Sequence, residues 1–384
     1  MLRTSAVLIV LIFISLFFSD SSYLADSSHY LHPDSVWSDW KSESLFRLKK
    51  QKLPGKFFYY QHEKHFNGVV LVAEKGKILH QGAYGYSNLR SQDTLSMNSA
   101  FQLASVSKVF TATAVLLLYQ DGKIDLDEEV RTYLKGFPYK KMTVRHLLSH
   151  RSGMCRYMAV AAKRWKKWKE PMYNSNVVYQ YKRYKPITFF KPGRRFNYNN
   201  TNYVFLASLV EEISGKKFAD FMEERIFEPL EMENALIYSR KDDPEIPNEV
   251  TGHKGWGRRH WKAANDYIDG VVGDKGMYAS ALDLYKFDQA LYSGKLLKPG
   301  IVEEALSPES ELWRRNNYGL GWRLKKQGGS YLSYHFGWWR GFRTCFIRDV
   351  DKERTVIILS NTDVPGRNLR FWEIYSYLSD QESW

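Results

Sequence analysis

Strand-forming sequence lies at both ends of this chain, with helix-forming sequence between the two ends. Near the front, residues 68–88 contain two β-rich runs around a turn at 74–77, EKGK, which predicts a hairpin. Near the back, short β-rich runs joined by tight turns predict an antiparallel meander over 318–324, 331–337, 341–349 and 354–360. We therefore expect an α/β (α+β) fold: one antiparallel sheet built from N- and C-terminal strands, flanked by helices, with a mostly helical region inserted.

The N-terminus predicts export. Residues 6–18 are apolar except for Ser15, too short a stretch to span a bilayer comfortably but typical of a secretory signal. Residues 1–25 are expected to be a signal peptide or, because no clean cleavage site follows, an uncleaved anchor. Residues 26–59 would form an N-terminal extension and 60–384 one large domain, with the helical insert at about 125–270. The body would be periplasmic or secreted, or held at the membrane by the N-terminal segment.

The net charge and the cysteine content limit the binding partners and the kinds of disulfide or metal site that this chain can have. The formal net charge of +14 favours an anionic surface such as a cell envelope, and export argues against nucleic acid. Only Cys155 and Cys345 are present, which excludes a disulfide framework and a cysteine-built zinc site. A single disulfide between these two cysteines is one alternative, but two unpaired thiols are the simpler expectation. The ten histidines show no metal-ligand spacing, so neither a metal nor another cofactor is expected.

The segment LASVSKVF, residues 103–110, opens an apolar helix predicted over 105–121. Residues three apart share one helix face, so Ser105 and Lys108 can touch, whereas Ser107 points elsewhere. A serine at the positive end of a helix dipole lies where backbone N–H groups can stabilise an oxyanion. A desolvated lysine can take the proton of such a serine. The spacing therefore predicts Ser105 as a nucleophile activated by Lys108.

The Ser-x-x-Lys pattern alone is weak, because Ser38–Lys41 and Ser214–Lys217 also match it. Neither of these matches opens a long apolar helix. The first lies in a polar N-terminal segment, and the second crosses the glycine that ends a helix predicted over 201–215.

The runs FQLASVSKVFTATAVLLLYQDGKIDLDEEVRTYL (101–134) and MTVRHLLSHRSGM (142–154) resemble the serine β-lactamase and penicillin-binding-protein superfamily. The branch is that of class C β-lactamases, D-alanyl-D-alanine carboxypeptidases and related esterases. The resemblance covers about residues 60–362 and includes VVGDKGMYASALDLYKF (271–287) and YGLGW (318–322). It implies three ordered motifs: Ser105 to Lys108, Tyr198-Asn199-Asn200 and His335-Phe336-Gly337.

The resemblance also implies the roles of these residues. Ser105 would form an acyl-enzyme with an ester, amide, D-amino-acid peptide or β-lactam-like substrate, which water then hydrolyses. Lys108 and Tyr198 would share proton transfer, with the identity of the base left open. Asn200 would hold Lys108 and face the substrate carbonyl. The oxyanion hole would be formed by the backbone N–H groups of Ser105 and Trp338, the residue that follows Gly337.

The third motif departs from the usual Lys-Thr-Gly. His335 replaces the fixed cation that holds a substrate carboxylate, and Phe336 removes a hydroxyl. This favours an esterase or a peptidase of D-amino-acid peptides over an efficient β-lactamase. The aromatic side chains of Trp338, Trp339 and Phe342 would form a wall for an acyl group or would only pack in the core.

The same residues also have ordinary structural interpretations, and the chain has alternative functions. Tyr198 alone could be a core tyrosine, Asn200 a helix cap and His335 a core histidine. The whole chain could be a penicillin-recognising sensor that acylates without turnover, or a noncatalytic envelope-binding protein. Residues 161–170, AAKRWKKWKE, predict a helix that places Trp165 and Trp168 on one face, either as a basic amphipathic surface or as a solvated face with both tryptophans inward.

Overall fold

The computed structural model describes residues 33–240, 245–256, 259–309, 316–327, 330–363 and 371–380. The chain divides into a first unit that ends at Arg47 and a second that begins at Leu48. The expected signal peptide or anchor, residues 1–25, lies outside the described residues. Within the described ranges, no helix has the length and apolar character needed to cross a membrane.

The helices are α1 Pro33–Glu63, α2 Ser107–Gln120, α3 Val130–Tyr133, α4 Val144–Leu148, α5 Tyr157–Arg164, α6 Asn174–Tyr184, α7 Asn200–Ser214, α8 Phe218–Met222, α9 Ala281–Ser293, α10 Pro299–Leu306 and α11 Phe371–Asp380. The strands are β1 Gly68–Glu74, β2 Lys77–Tyr84, β3 Tyr86–Asn88, β4 Asp93–Thr94, β5 Phe101–Gln102, β6 Leu236–Ile237, β7 His253–Trp256, β8 Arg259–Lys262, β9 Met277–Ala279, β10 Asn316–Tyr318, β11 Arg323–Gln327, β12 Ser330–Trp339, β13 Phe342–Asp349, β14 Arg354–Ser360 and β15 Thr362–Asp363.

One antiparallel sheet unites the two ends of the chain, in the order β10-β11-β12-β13-β14-β1-β2. The joint is the pairing of β1 with β14, which runs from Gly68 opposite Ser360 to Glu74 opposite Arg354. Both strands contain an apolar run, VVLVA in β1 and VIIL in β14, and both are buried along nearly their whole length, as central strands covered on both faces are. The predicted fold, with terminal strands in one sheet and helices around it, is confirmed.

The predicted hairpin and the two long helices are confirmed, because β1 pairs with β2 and α2 and α7 lie within one or two residues of their expected bounds. The strand predicted over 318–324 is wrong. The chain turns between Tyr318 and Arg323, where Gly321 has a φ of +94° and a Cβ on Gly319 would lie 2.2 Å from the carbonyl oxygen of Ala305. The two glycines therefore serve a turn and a close backbone approach.

Helices α3 to α8 and several short strands fill the chain between α2 and α9, where the helical insert was expected. The helix predicted across 161–170 is wrong, because α5 ends at Arg164. The backbone of Trp165, the residue after α5, is extended, with φ −81° and ψ 120°, and the partly buried Trp165 donates its Nε1–H to the Lys167 carbonyl at 2.8 Å. The two tryptophans therefore do not share a helix face. Cys155 and Cys345 are both free.

The second half of α1 packs with the sheet. The ring of Phe57 stacks on His80 of β2 with 4.8 Å between ring centroids. Lys49 Nζ lies 3.0 Å from a carboxylate oxygen of Glu74, which Arg354 also binds at 2.8 Å. Part of the predicted 26–59 extension therefore belongs to the same compact unit as the sheet.

Candidate active site

Ser105 lies in a 3₁₀ turn that leads directly into α2. Ala104, just before it, has a φ of +52°, a left-handed conformation that costs a non-glycine residue energy and clusters at functional sites. Lys108 is fully buried, and its Nζ lies 3.0 Å from Ser105 Oγ. Ser107 Oγ points away and accepts the N–H of Met277 at 3.3 Å. The structure thus brings the predicted pair together and separates Ser107 from it.

The second partner of Lys108 is the backbone carbonyl of Asp274, at 2.6 Å from Nζ. The expected bond from Lys108 to Asn200 is absent, because the Asp274 carbonyl takes that place, and Asn200 Oδ1 has no hydrogen-bond partner among the described residues. Asn200 does not cap α7 either. That role belongs to Asn199, whose Oδ1 accepts the N–H of Thr201 at 3.0 Å.

A buried ion pair fixes the segment that holds Lys108. The Asp274 carboxylate lies 3.4 Å from Lys275 Nζ and accepts the Tyr157 hydroxyl at 3.2 Å. Lys275 also donates to Tyr157 Oη and to the Val271 carbonyl, both at 3.0 Å. Burial lowers the pKa of Lys275 and raises that of Tyr157 well above its usual value. Because Lys275 takes the Asp274 carboxylate, only the backbone carbonyl of Asp274 faces Lys108.

Replacing Lys275 by methionine is expected to lower the free energy of unfolding by about 3–5 kcal/mol, because it leaves the Asp274 carboxylate buried without a counter-ion. The double variant Lys275→Met/Asp274→Asn should recover much of this loss, since it removes both charges. Urea denaturation of the three proteins measures the effect. Equal stability of the single variant and the parent would show that the pair is not coupled in this way.

Tyr198 is held beside Lys108 by a residue whose role the sequence did not reveal. The Tyr198 ring centroid lies 5.2 Å from Lys108 Nζ and 4.3 Å from the His150 ring. His150 is completely buried, and its Nδ1 accepts the backbone N–H of Asn199 at 3.1 Å. Burial, followed by the charge of Lys108, lowers the pKa of His150 well below its usual range, so the ring is neutral. His150 lies in the run MTVRHLLSHRSGM (142–154), and the resemblance of that run to the family is the sequence signal that could have indicated its importance.

His335 is also a buried neutral ring. Its Nδ1–H donates to the Phe336 carbonyl at 3.1 Å, since a carbonyl only accepts, and its Nε2 accepts the Tyr318 hydroxyl at 3.2 Å. Burial, with the charges of Arg323 and Lys108, lowers the pKa of His335 well below its usual value. His335 therefore does not replace the missing cation of the third motif.

A different cation lies beside the site. The guanidinium carbon of Arg323 is 4.5 Å from the Tyr198 ring centroid, and the residue is only half-buried. In the part of the chain that the structure describes, no carboxylate pairs with it. Sequence reasoning missed Arg323 because it directly follows YGLGW, where a single strand was expected.

Gly337 allows β12 to pass very close to the nucleophile turn. A Cβ on Gly337 would lie 2.1 Å from Thr344 Oγ1, 2.3 Å from the Leu103 carbonyl oxygen and 3.0 Å from Ala104 Cβ. Glycine is the residue that permits such an approach. The backbone of residues 337–338 is consequently placed beside the turn that carries Ser105, as the predicted oxyanion hole requires.

The three aromatic residues that were predicted to form a wall lie in three different environments. Phe342 is buried in the core, edge-on to Phe101. Trp339 is partly buried and donates its Nε1–H to Asp269 at 2.7 Å. Trp338 is 62% exposed and is tied to Asp363 by an Nε1–H bond of 2.6 Å. Of the three, only Trp338 is exposed and therefore free to contact a bound acyl group.

The middle residue of the third motif has a structural partner. The Phe336 ring lies 5.0 Å from Phe371 and 5.5 Å from Trp372, both in α11. Phe336 therefore packs β12 against the C-terminal helix. Across the described residues, no group of three histidine, cysteine or acidic side chains is arranged to hold a metal ion.

Comparison with known proteins shows which family this chain is similar to. The chain is 36% identical over 319 residues to "Penicillin-binding protein 4*" of Bacillus subtilis (strain 168), with 78% of this chain and 69% of the relative covered. It is 28% identical to the "D-aminopeptidase" of Brucella anthropi, with 81% of this chain and 59% of the relative covered. The chain thus spans well under the full length of both relatives.

Solved structures show the same fold. A penicillin-binding protein from Bacillus halodurans superposes with a TM-score of 0.72 at 22% identity, covering 84% of this chain and 98% of that one. The D-amino acid amidase of Ochrobactrum anthropi SV3, in complex with L-phenylalanine amide, gives 0.67 at 23% identity, covering 83% and 93%. The Beta-lactamase family model matches residues 55–378. The chain therefore belongs to the serine β-lactamase and penicillin-binding-protein superfamily.

Proposed function

We propose that this protein is a serine hydrolase that forms an acyl-enzyme at Ser105. Ser105 Oγ attacks the substrate carbonyl carbon, and its proton passes to Lys108 or Tyr198. The tetrahedral oxyanion is stabilised by the backbone N–H groups of Ser105 and Trp338. The leaving amine or alcohol takes the proton as its bond to the carbonyl carbon breaks. Water then hydrolyses the acyl ester and regenerates the serine.

The observation that carries this proposal is the 3.0 Å contact between Ser105 Oγ and the fully buried Nζ of Lys108. A lysine amine within hydrogen-bond distance of a serine hydroxyl is placed to exchange a proton with it. The described residues supply Lys108 with a backbone carbonyl rather than a carboxylate, since Asp274 is paired with Lys275.

We further propose that the substrate is a D-amino-acid peptide with a free C-terminal carboxylate. Arg323 supports this substrate class, since it is a half-buried guanidinium beside Tyr198 with no acidic partner among the described residues. A guanidinium matches a carboxylate through two parallel hydrogen bonds. The relatives named D-aminopeptidase and D-amino acid amidase support the D-amino-acid part.

Three substrates test the proposal: a short-chain nitrophenyl ester, a chromogenic cephalosporin and a peptide ending in D-Ala-D-Ala. We expect turnover of the ester and the peptide and little turnover of the cephalosporin, with transient acylation seen by intact-protein mass spectrometry. A stable adduct without turnover of any substrate would instead identify a sensor. Neither adduct nor turnover would identify a noncatalytic binding protein.

We also propose that this reaction takes place outside the cytoplasm, at an anionic cell envelope. Support comes from the apolar residues 6–18, which lie outside the described residues, and from the net charge of +14.

A further inference from the structure

The positive charge of the chain is concentrated in one stretch. Residues 161–195 contain eleven lysine and arginine residues and one acidic residue, Glu170, so they carry a net +10 of the +14 of the whole chain. Ten of the eleven basic side chains are exposed. Within the described residues, Lys167 alone among them pairs with a carboxylate, that of Glu170 at 2.8 Å. We call this surface, residues 161–169 and 182–195, the basic face.

Four large apolar or aromatic side chains of the basic face are exposed, and besides Trp168 (51%) and Tyr184 (45%) they include two in one short segment. Ile187 is 87% exposed and Phe189 57% exposed. They alternate with the half-buried Pro186 and Thr188, so an extended segment turns one set of side chains outward. Exposed apolar side chains grouped within a polar rim are typical of an interaction surface.

The outward segment is firmly held, and the two parts of the basic face are joined. The Phe189 N–H donates to the Gly153 carbonyl at 2.7 Å, and the Tyr139 hydroxyl donates to the Pro186 carbonyl at 2.6 Å. The guanidinium of Arg164, at the end of α5, lies 4.5 Å from the ring centroid of Tyr184, at the end of α6. Residues 161–169 and 182–195 therefore meet in one continuous surface.

We propose that the basic face docks on an anionic lipid bilayer, with Ile187 and Phe189 entering the headgroup layer and the lysines and arginines contacting lipid phosphates. A bilayer satisfies both features, since it offers negative charge at its surface and apolar depth below it. A soluble anionic polymer would meet the charges but would leave Ile187 and Phe189 in water. The bilayer is therefore the better match.

Docking would also bring Tyr198 of the candidate active site near the membrane. The basic face continues along the chain into Asn197, whose N–H donates to the His150 carbonyl at 2.9 Å, and then into Tyr198. This inference goes beyond the proposed chemistry and does not depend on it, because vesicle binding is measured without substrate.

Co-sedimentation with vesicles tests the proposal. We expect the protein to bind vesicles of phosphatidylcholine with about one third phosphatidylglycerol at least about tenfold more tightly than pure phosphatidylcholine vesicles. Raised salt should weaken the binding. Absence of binding to the anionic vesicles would overturn the proposal.

Matched variants separate the two contributions. Ile187→Ser/Phe189→Ser should weaken binding about tenfold. Lys163→Gln/Lys166→Gln/Lys169→Gln should weaken it by a similar factor, whereas the control Lys123→Gln/Lys295→Gln/Lys298→Gln should not. All of these side chains are exposed, so thermal unfolding should match the parent protein. If the charge variant lost binding and the apolar variant kept it, the partner would be a polyanion and the bilayer proposal would be wrong.

Discussion

Replacing Ser105 by alanine is expected to lower kcat for the ester and the peptide by about 10⁴-fold or more, because no other group can form the acyl bond. The acyl adduct seen by intact-protein mass spectrometry should disappear at the same time. Binding of the peptide should persist, since the variant removes one oxygen atom from a site that otherwise stays assembled.

Ser107→Ala is the matched control for the nucleophile. Its hydroxyl accepts the Met277 N–H and points away from Lys108, so the variant should keep most of its activity. The mechanism is wrong if Ser105→Ala turns over substrate as fast as the parent protein. It is equally wrong if Ser107→Ala alone loses the acyl adduct while remaining folded.

Much of this fold was predictable because local patterns and overall topology agree. The hairpin has turn residues between two β-rich runs, and α2 and α7 have apolar residues at helical spacing. Patterns that depend on tertiary contacts misled prediction. The run at 318–324 has strand composition, but its glycines serve a turn and a close approach to Ala305. The segment at 161–170 has helix-forming residues, but the backbone becomes extended at Trp165 and the helix ends at Arg164.

The candidate site divides in the same way. Helical spacing was sufficient to choose Ser105 over Ser107, because both lie at the start of one element. The partners of that pair come from distant parts of the chain. Asp274 supplies its backbone carbonyl, His150 holds Asn199 through a ring nitrogen, and Arg323 contacts the Tyr198 ring. None of these contacts has a local sequence pattern, so only the folded chain reveals them.

Replacing Arg323 by methionine is expected to raise KM for a peptide with a free C-terminal carboxylate about 10- to 100-fold, the effect of losing a hydrogen-bonded charge. The ester and the C-terminal amide of the same peptide should be affected little. Arg323→Lys should fall between the two proteins, because it keeps the charge and loses the bidentate geometry. Steady-state kinetics on the acid and amide forms of one peptide measure the difference.

Lys325→Met on the same strand is the control, because Lys325 lies over the Trp372 ring at 3.9 Å, on a residue of α11. KM for the acid peptide should also stay level between about pH 6 and 8, since a guanidinium stays charged and burial keeps His335 neutral. A KM that rises as the pH rises through about 6.5 would identify a protonated His335 as the cation instead. Equal losses on acid and amide would assign Arg323 to supporting Tyr198.

Because Phe336 packs against α11, the third motif cannot be replaced by Lys-Thr-Gly without changes elsewhere in the protein. A threonine in place of Phe336 would remove the contact of β12 with Phe371 and Trp372. A lysine in place of His335 would bury an ammonium near Lys108 and Arg323. The strand that flanks the nucleophile and the helix α11 therefore pack as one unit. A change of this site to the usual Lys-Thr-Gly arrangement therefore requires changes in α11 as well as in β12.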